Sequence, residues 1–330
     1  MKEQDLLYHF PYHIDKEHSF RHFAYDNIKF VRKYIPSYDG TNLYEFLINK
    51  SGLTKDEISE FSYINENYVN WANWFKNGKN IFSFSFELLS MLEKTDVSNV
   101  KPDSFHLPYD IFYLSLKPLN IKISKDSNKI VEGVYIDHNI WDYDGEHPEG
   151  YCDLSFYFVG DFRDIFLKNI STVKSRTPYT INNQEKFDEY PVGSFWNVWL
   201  SFQKSEGREN VKQAIDYFLD ELKDELFSNK PKNEELTDIE LDFYNATTGL
   251  LKRTINLVIN CMLYLSQPSE KKDIKKEYPH GLPQNFDRKL KFAKTKKDIK
   301  KVSNKIDELG FTKIHYVGKS FKNRQNTETV

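Results

Sequence analysis

The sequence predicts an α+β protein with a helical N-terminal part, a central antiparallel sheet, two long C-terminal helices and a basic tail. Three observations carry this. Between residues 106 and 160 the runs HLPYDIFYLSL, IKIS, KIVEGVYIDH and GYCDLSFYFVG are separated by turn-forming residues. Three of the four are rich in β-branched or aromatic residues, as expected of an antiparallel meander. The first hundred residues and residues 208–266 instead space their apolar side chains at helical intervals. Finally, 26 Phe and 21 Tyr against only 13 Gly and 12 Pro describe a chain that packs a core. The expected organisation is a helical part over 1–100, the sheet with its packed helices over 101–270, and a basic segment over 271–330.

Taken in order, a first helix is expected over 20–34, stopped at Ile35-Pro36 because a residue before proline is pushed out of the helical region. Asp39-Gly40 marks a turn. A helix over 42–50 ends at Gly52, and Thr54 with Glu57 forms a capping box for the next. Another helix spans 66–75 and stops near Asn77-Gly78. Ile81, Ser83 and Phe84 then read as extended, while Leu88, Leu89, Met91 and Leu92 share a helix face capped by Ser85. In the last strand of the meander Cys152, Leu154, Phe156 and Phe158 alternate with Asp153, Ser155 and Tyr157, predicting one buried and one wet face. Residues 161–175 read as a short helix or irregular connection, and 177–190 as polar loop. Phe195, Trp196, Val198, Trp199, Leu200 and Phe202 are expected in the core. Val211, Ala214, Ile215, Phe218, Leu219, Leu222 and Leu226 stripe a helix over 208–227, and a second long helix covers 238–266. A weak amphipathic helix is expected around Ile299, Val302, Ile306 and Leu309.

Composition narrows the function classes. Cys152 and Cys261 sit in apolar runs, so buried, reduced thiols and a cytoplasmic location are expected. The N-terminal stretch is broken by charge and proline and is unlike a signal peptide. No membrane span is expected, since the apolar run 249–265 contains Lys252, Arg253, Asn256 and Asn260. Charge is unevenly placed: residues 271–324 hold 17 Lys and Arg against 6 Asp and Glu, net +11, whereas residues 1–270 hold 29 against 42, net −13.

Catalytic motifs are missing: there is no Gly-x-Ser-x-Gly, no phosphate-cradling glycine loop and no dinucleotide fingerprint. No catalytic residue, metal ligand or cofactor is nominated. Asp137 and His138 are the best starting pair for acid–base work. His9, His13, His18 and His22 include two i,i+4 pairs, of which the first is broken by Pro11 and neither is completed into a metal site. Asp142-Tyr143-Asp144-Gly145-Glu146 lacks the later glutamate of a calcium loop and reads as a solvated hairpin tip. The basic segment is the clearest signal. Lys289, Lys291, Lys294, Lys296, Lys297, Lys300 and Lys301 supply positive charge, and His315, Tyr316, Lys319, Phe321, Lys322 and Arg324 interleave charge with rings. This suits phosphate contact and base stacking, hence RNA or a ribosome surface. A solvated tail, or one attracted to the acidic body, is the other reading. Few large apolar residues lie in it, so folding is expected to survive removal of 286–330.

The stretch WFKNGKNIFSFSFELLSMLEKTDVSNVKPDSFHLPYDIFYLSL, followed more loosely by LSFYFVGDF and LLKRTINLVINCMLYLSQPSE, resembles the family of the second type V-A anti-CRISPR protein, whose homologues occur on plasmids, in phages and in bacterial chromosomes. The resemblance covers about residues 66–320. Family members finish on a basic segment leading to a Gly-His-Trp-like stretch, which IHYVGKSF matches in part, without the tryptophan. The resemblance implies a non-enzymatic inhibitor that recognises a CRISPR nuclease polypeptide as it is made and lowers its production. The homologues are spread more widely than that nuclease, so the resemblance leaves room for a different target protein. Partners expected on these grounds are a protein, with RNA or ribosome through the basic tail. The alternative is a nucleic-acid-binding effector or metal-dependent nuclease, with Asp137, Asp142, Asp144 and Glu146 around Mg²⁺.

Overall fold

Helices lie on both faces of a seven-stranded mixed sheet, of strand order β7-β4-β3-β2-β1-β9-β8. The computed structural model describes residues 8–123, 128–140, 152–160, 178–181, 184–187, 197–226, 236–267, 274–277 and 313–317. Its strands are β1 Asn80–Phe84, β2 Ile111–Ser115, β3 Gly133–Ile140, β4 Cys152–Val159, β5 Pro178–Ile181, β6 Gln184–Phe187, β7 Asn197–Phe202, β8 Ile274–Glu277 and β9 Lys313–Val317. Its helices are α1 Phe10–His18, α2 Asn27–Tyr34, α3 Leu43–Asn49, α4 Lys55–Lys76, α5 Phe86–Leu92, α6 Val211–Leu226 and α7 Asp238–Ser266.

Local rules account for most helix ends. Thr54 and Glu57 make the reciprocal capping box at the start of α4, and Ser85 accepts from the Leu88 amide at 3.3 Å to start α5. On α5, Leu88, Leu89 and Leu92 are buried, whereas Met91 is exposed. Two expectations are corrected here. The helix expected over 20–34 is broken, because Asp26 caps a fresh start by accepting from the Lys29 amide at 3.0 Å. The helices expected after Thr54 and over 66–75 are one continuous 22-residue element, α4. Pro11 does not prevent helix in the first histidine pair: it sits in the first turn of α1, where its missing N–H costs nothing, with His9 as the cap residue. The second pair is separated by Ser19 in the left-handed region, so His18 and His22 do not share a helix face.

The meander expected between 106 and 160 is present as β2, β3 and β4, paired antiparallel in register, and β7 continues it on the outer side of β4. Beyond β2 the sheet changes character. β1 pairs parallel with both β2 and β9, and β8 joins β9 antiparallel. The polar loop expected over 177–190 contains a small antiparallel hairpin, β5–β6.

Alternation along the strands assigns each side chain to a face. Phe82, Phe112, Leu114, Val134, Ile136, Leu154, Phe156, Phe158, Val198, Leu200 and Phe202 share the face covered by α6 and α7, and all are buried. The other face carries a tyrosine ladder, with Tyr113, Tyr135 and Tyr157 opposite one another on β2, β3 and β4. This face is not wet along its length, as the pattern in β4 predicted. The N-terminal helices cover it: Trp74 packs against Tyr135 with ring centroids 6.2 Å apart, and the Tyr63 hydroxyl donates to the Gly160 carbonyl at 3.2 Å. Tyr157 reaches Glu66 of α4 at 3.3 Å. One cluster of buried apolar side chains therefore runs from Phe10 through the sheet to Val317.

The basic segment contributes to this core. Val317 of β9 is fully buried, its carbonyl accepts from the Ser85 amide at 2.9 Å, and five residues of β9 pair with β1. Removal of 286–330 would thus take a strand out of the sheet, which corrects the expectation that the segment is dispensable for folding.

Candidate functional site: an open sheet edge

Among the described residues, Asp137 and His138 do not converge on one site. Asp137 and His138 are consecutive on β3 and so project to opposite faces. Asp137 lies under α4, accepting from the Asn73 amide nitrogen at 3.0 Å. His138 is buried on the α7 side, edge-on to Phe105 at 6.3 Å, with its backbone N–H donating to the Asp110 carbonyl at 2.8 Å. Burial lowers the His138 pKa, opposed by the charge of Asp110. Cys152 lies on the same face as His138 two pairs further along, since His138 is in register with Leu154 and Ile140 with Cys152. Burial, aided by Asp153 and Asp103, pushes its thiol up to about 12, and burial raises the Cys261 thiol as well. Both thiols are uncharged at neutral pH and so poor nucleophiles.

A measurable consequence attaches to His138. Its neutral form is favoured in the fold, whereas in the unfolded chain it protonates near its ordinary value of about 6.5. Below that pH the unfolded state binds more protons, so stability is fully present above it and falls as pH drops toward the lowered folded-state value. Urea midpoints measured from pH 8 to pH 5.5 are expected to fall for the native protein and to fall less for His138→Leu. Parallel pH profiles for the two would remove His138 from this role.

Asp142, Asp144 and Glu146 lie outside the described residues. Among the described residues no group of three His, Cys, Asp or Glu side chains is placed to hold a metal ion, and no helix is long and apolar enough to cross a membrane. Of the basic-segment residues, His315 and Tyr316 fall within β9, at the registers of Phe82 and Ser83. Lys289, Lys291, Lys294, Lys296, Lys297, Lys300, Lys301, Lys319, Phe321, Lys322 and Arg324 lie outside the described residues.

What the structure adds is a sheet edge at β7 that no other strand covers among the described residues. Ile111, Asp137, Ser155 and Trp199 form a row across β2, β3, β4 and β7 on the face shared with the N-terminal helices. Ile111, Asp137 and Ser155 are half-buried, and at the edge Trp199 is 56% exposed although Trp71 and Trp74 are each only 1% exposed. Trp199 was expected in the core. It is out of phase with Val198, Leu200 and Phe202, which are the buried residues of β7, and that alternation was the signal available in the sequence. Behind the strand, Tyr217 on α6 is 40% exposed and backed by the Arg208 guanidinium, 4.1 Å from its ring centre. Arg208 pairs with Glu206 at 2.7 Å, and the Tyr217 hydroxyl donates to Glu221.

The molecule so defined is an α+β protein with helices on both faces of one sheet and exposed aromatic side chains about one sheet edge. A family model for the anti-CRISPR type V subtype A2 (AcrVA2-like) family matches residues 82–329, three quarters of the chain and everything from the middle of β1 onward. The chain belongs to that family. Its membership carries an anti-CRISPR inhibitor role and a protein partner. Among solved structures, the crystal structure of AcrVA2 is similar to the chain at 11% identity and a TM-score of 0.43, over 94% of this chain and 83% of that one. No curated protein matches the chain.

Proposed function

We propose that this protein acts in the cytoplasm by recognising a specific polypeptide, a type V-A CRISPR nuclease or another nascent chain, during its synthesis, and that it thereby lowers production of that polypeptide. Membership of the anti-CRISPR family over residues 82–329 carries the reading. The basic residues Lys289 to Lys301 supply the RNA or ribosome contact that would hold the protein near an emerging chain. Exposed aromatic side chains at Trp199 and Tyr217 are of the kind that anchor protein interfaces. The test is capture of stalled ribosome–nascent-chain complexes carrying the first hundred residues of a type V-A nuclease, with and without ribonuclease. Capture of the nuclease chain over an unrelated chain, persisting after ribonuclease, is expected. Equal capture of both chains, or none, would contradict the reading. Salt titration of the RNA contribution should give a log–log slope near about −3 if about four phosphates are contacted.

A further inference from the structure

The two edges of the sheet are unlike. β8, at one end, has the sequence Ile-Lys-Lys-Glu, three of four residues charged, which is how natural sheets protect an edge from pairing with another chain. β7, at the other end, is Asn-Val-Trp-Leu-Ser-Phe, with no charge and no proline, and among the described residues it pairs only with β4. An uncharged edge strand rich in β-formers is a template for one more strand.

The flanks of this edge say what would fit. On one face stands Trp199. On the other, α6 packs over β7 and turns one side toward α7, where Asp216 approaches Lys252 at 4.0 Å and Lys223 lies 5.9 Å from the Tyr244 ring centre. Tyr217, Glu221 and Asp224 share another flank of α6, roughly a third of a turn round from Asp216 and Lys223 and so turned from α7 toward the edge. The edge is thus bordered by two exposed rings and two carboxylates. A second copy of the chain, paired edge to edge, would bring the same carboxylates against each other.

From this geometry we propose that β7 is a docking edge for an extended, Lys- or Arg-bearing segment of a partner polypeptide, which adds to the sheet as a strand through its main chain and packs an alternate side chain on Trp199. The proposal rests on the polypeptide-recognition reading above and specifies its mode. Strand addition suits a chain that has not yet folded, because it needs only extended backbone and alternating side chains.

A phage-displayed library of ten-residue peptides selected on the full-length protein tests it. Selected sequences are expected to carry Lys or Arg at alternating positions. Their synthetic forms should lose at least tenfold in affinity on Trp199→Ala, on Ser201→Lys, and on N-methylation of alternate backbone amides. The melting temperatures of both variants should stay near that of the native protein, since neither side chain is in the core. Selected peptides that are acidic, that bind both variants unchanged, or that tolerate N-methylation would overturn the proposal. So would a dimer in light scattering that Ser201→Lys dissociates, which would make a second copy the occupant. If Trp199→Ala still captures the nuclease nascent chain as well as the native protein does, the docking edge falls and the polypeptide-recognition reading stands; if the native protein captures none, that reading falls first.

Discussion

Truncation before residue 286 is expected to destabilise the whole fold. Loss of β9 exposes the parallel edge of β1, removes Val317 from the core and leaves the Ser85 amide without its acceptor. Burial of a valine contributes about 1.5–3 kcal/mol, and each backbone hydrogen bond lost between β1 and β9 contributes about 0.5–1.5 kcal/mol net. The combined loss should be at least about 3 kcal/mol, lowering the melting temperature by roughly 5 °C or more. Val317→Asp in the full-length chain separates this strand effect from removal of the lysines, and should reproduce most of the loss. A truncated protein that melts with the native one would show that β9 contributes nothing to stability.

The second large effect is expected at Gly133. A Cβ built there would lie 2.5 Å from the Leu114 carbonyl oxygen and press against the hydroxyl end of Tyr113, which is fully buried. Backbone cannot yield as a flexible side chain can, and overpacking a core typically costs about 1–3 kcal/mol, occasionally more. Gly133→Ala should sit at the upper end of that range by urea unfolding. Combining it with Tyr113→Leu removes one of the two obstacles, so the double variant should be more stable than the sum of the single changes. Strict additivity would show that the Tyr113 contact is not what makes glycine necessary.

Much of the fold was legible because it is governed by local rules. The capping box of α4, the meander of β2 to β4 and the 29-residue helix α7 all follow from spacing and cap chemistry within a few residues. The parallel pairs of β1 with β2 and β9 were not legible, since β9 lies more than two hundred residues after β1 and carries no local mark of its partner. The covered face of β4 was misread because Asp153, Ser155 and Tyr157 look polar. Tyrosine buries its ring wherever another layer covers it, and only the tertiary packing of α4 reveals that layer. At the candidate site, six large apolar residues within eight positions point to core, although the period of two in β7 already separates Trp199 from Val198 and Leu200. Asp137 and His138 were paired by adjacency in sequence, which on a strand sends them to opposite faces.

We propose above that this chain lowers production of a polypeptide it recognises during synthesis. Cell-free bacterial translation of two messages, one encoding a type V-A nuclease and one an unrelated protein of similar length, tests it directly when the purified protein is added. Nuclease yield should fall several-fold while the unrelated product is unchanged, and a synonymous recoding of the nuclease message should be suppressed equally, because the polypeptide and not the RNA sequence is recognised. Unchanged nuclease yield, or suppression that follows the message sequence and not the encoded polypeptide, would contradict the account.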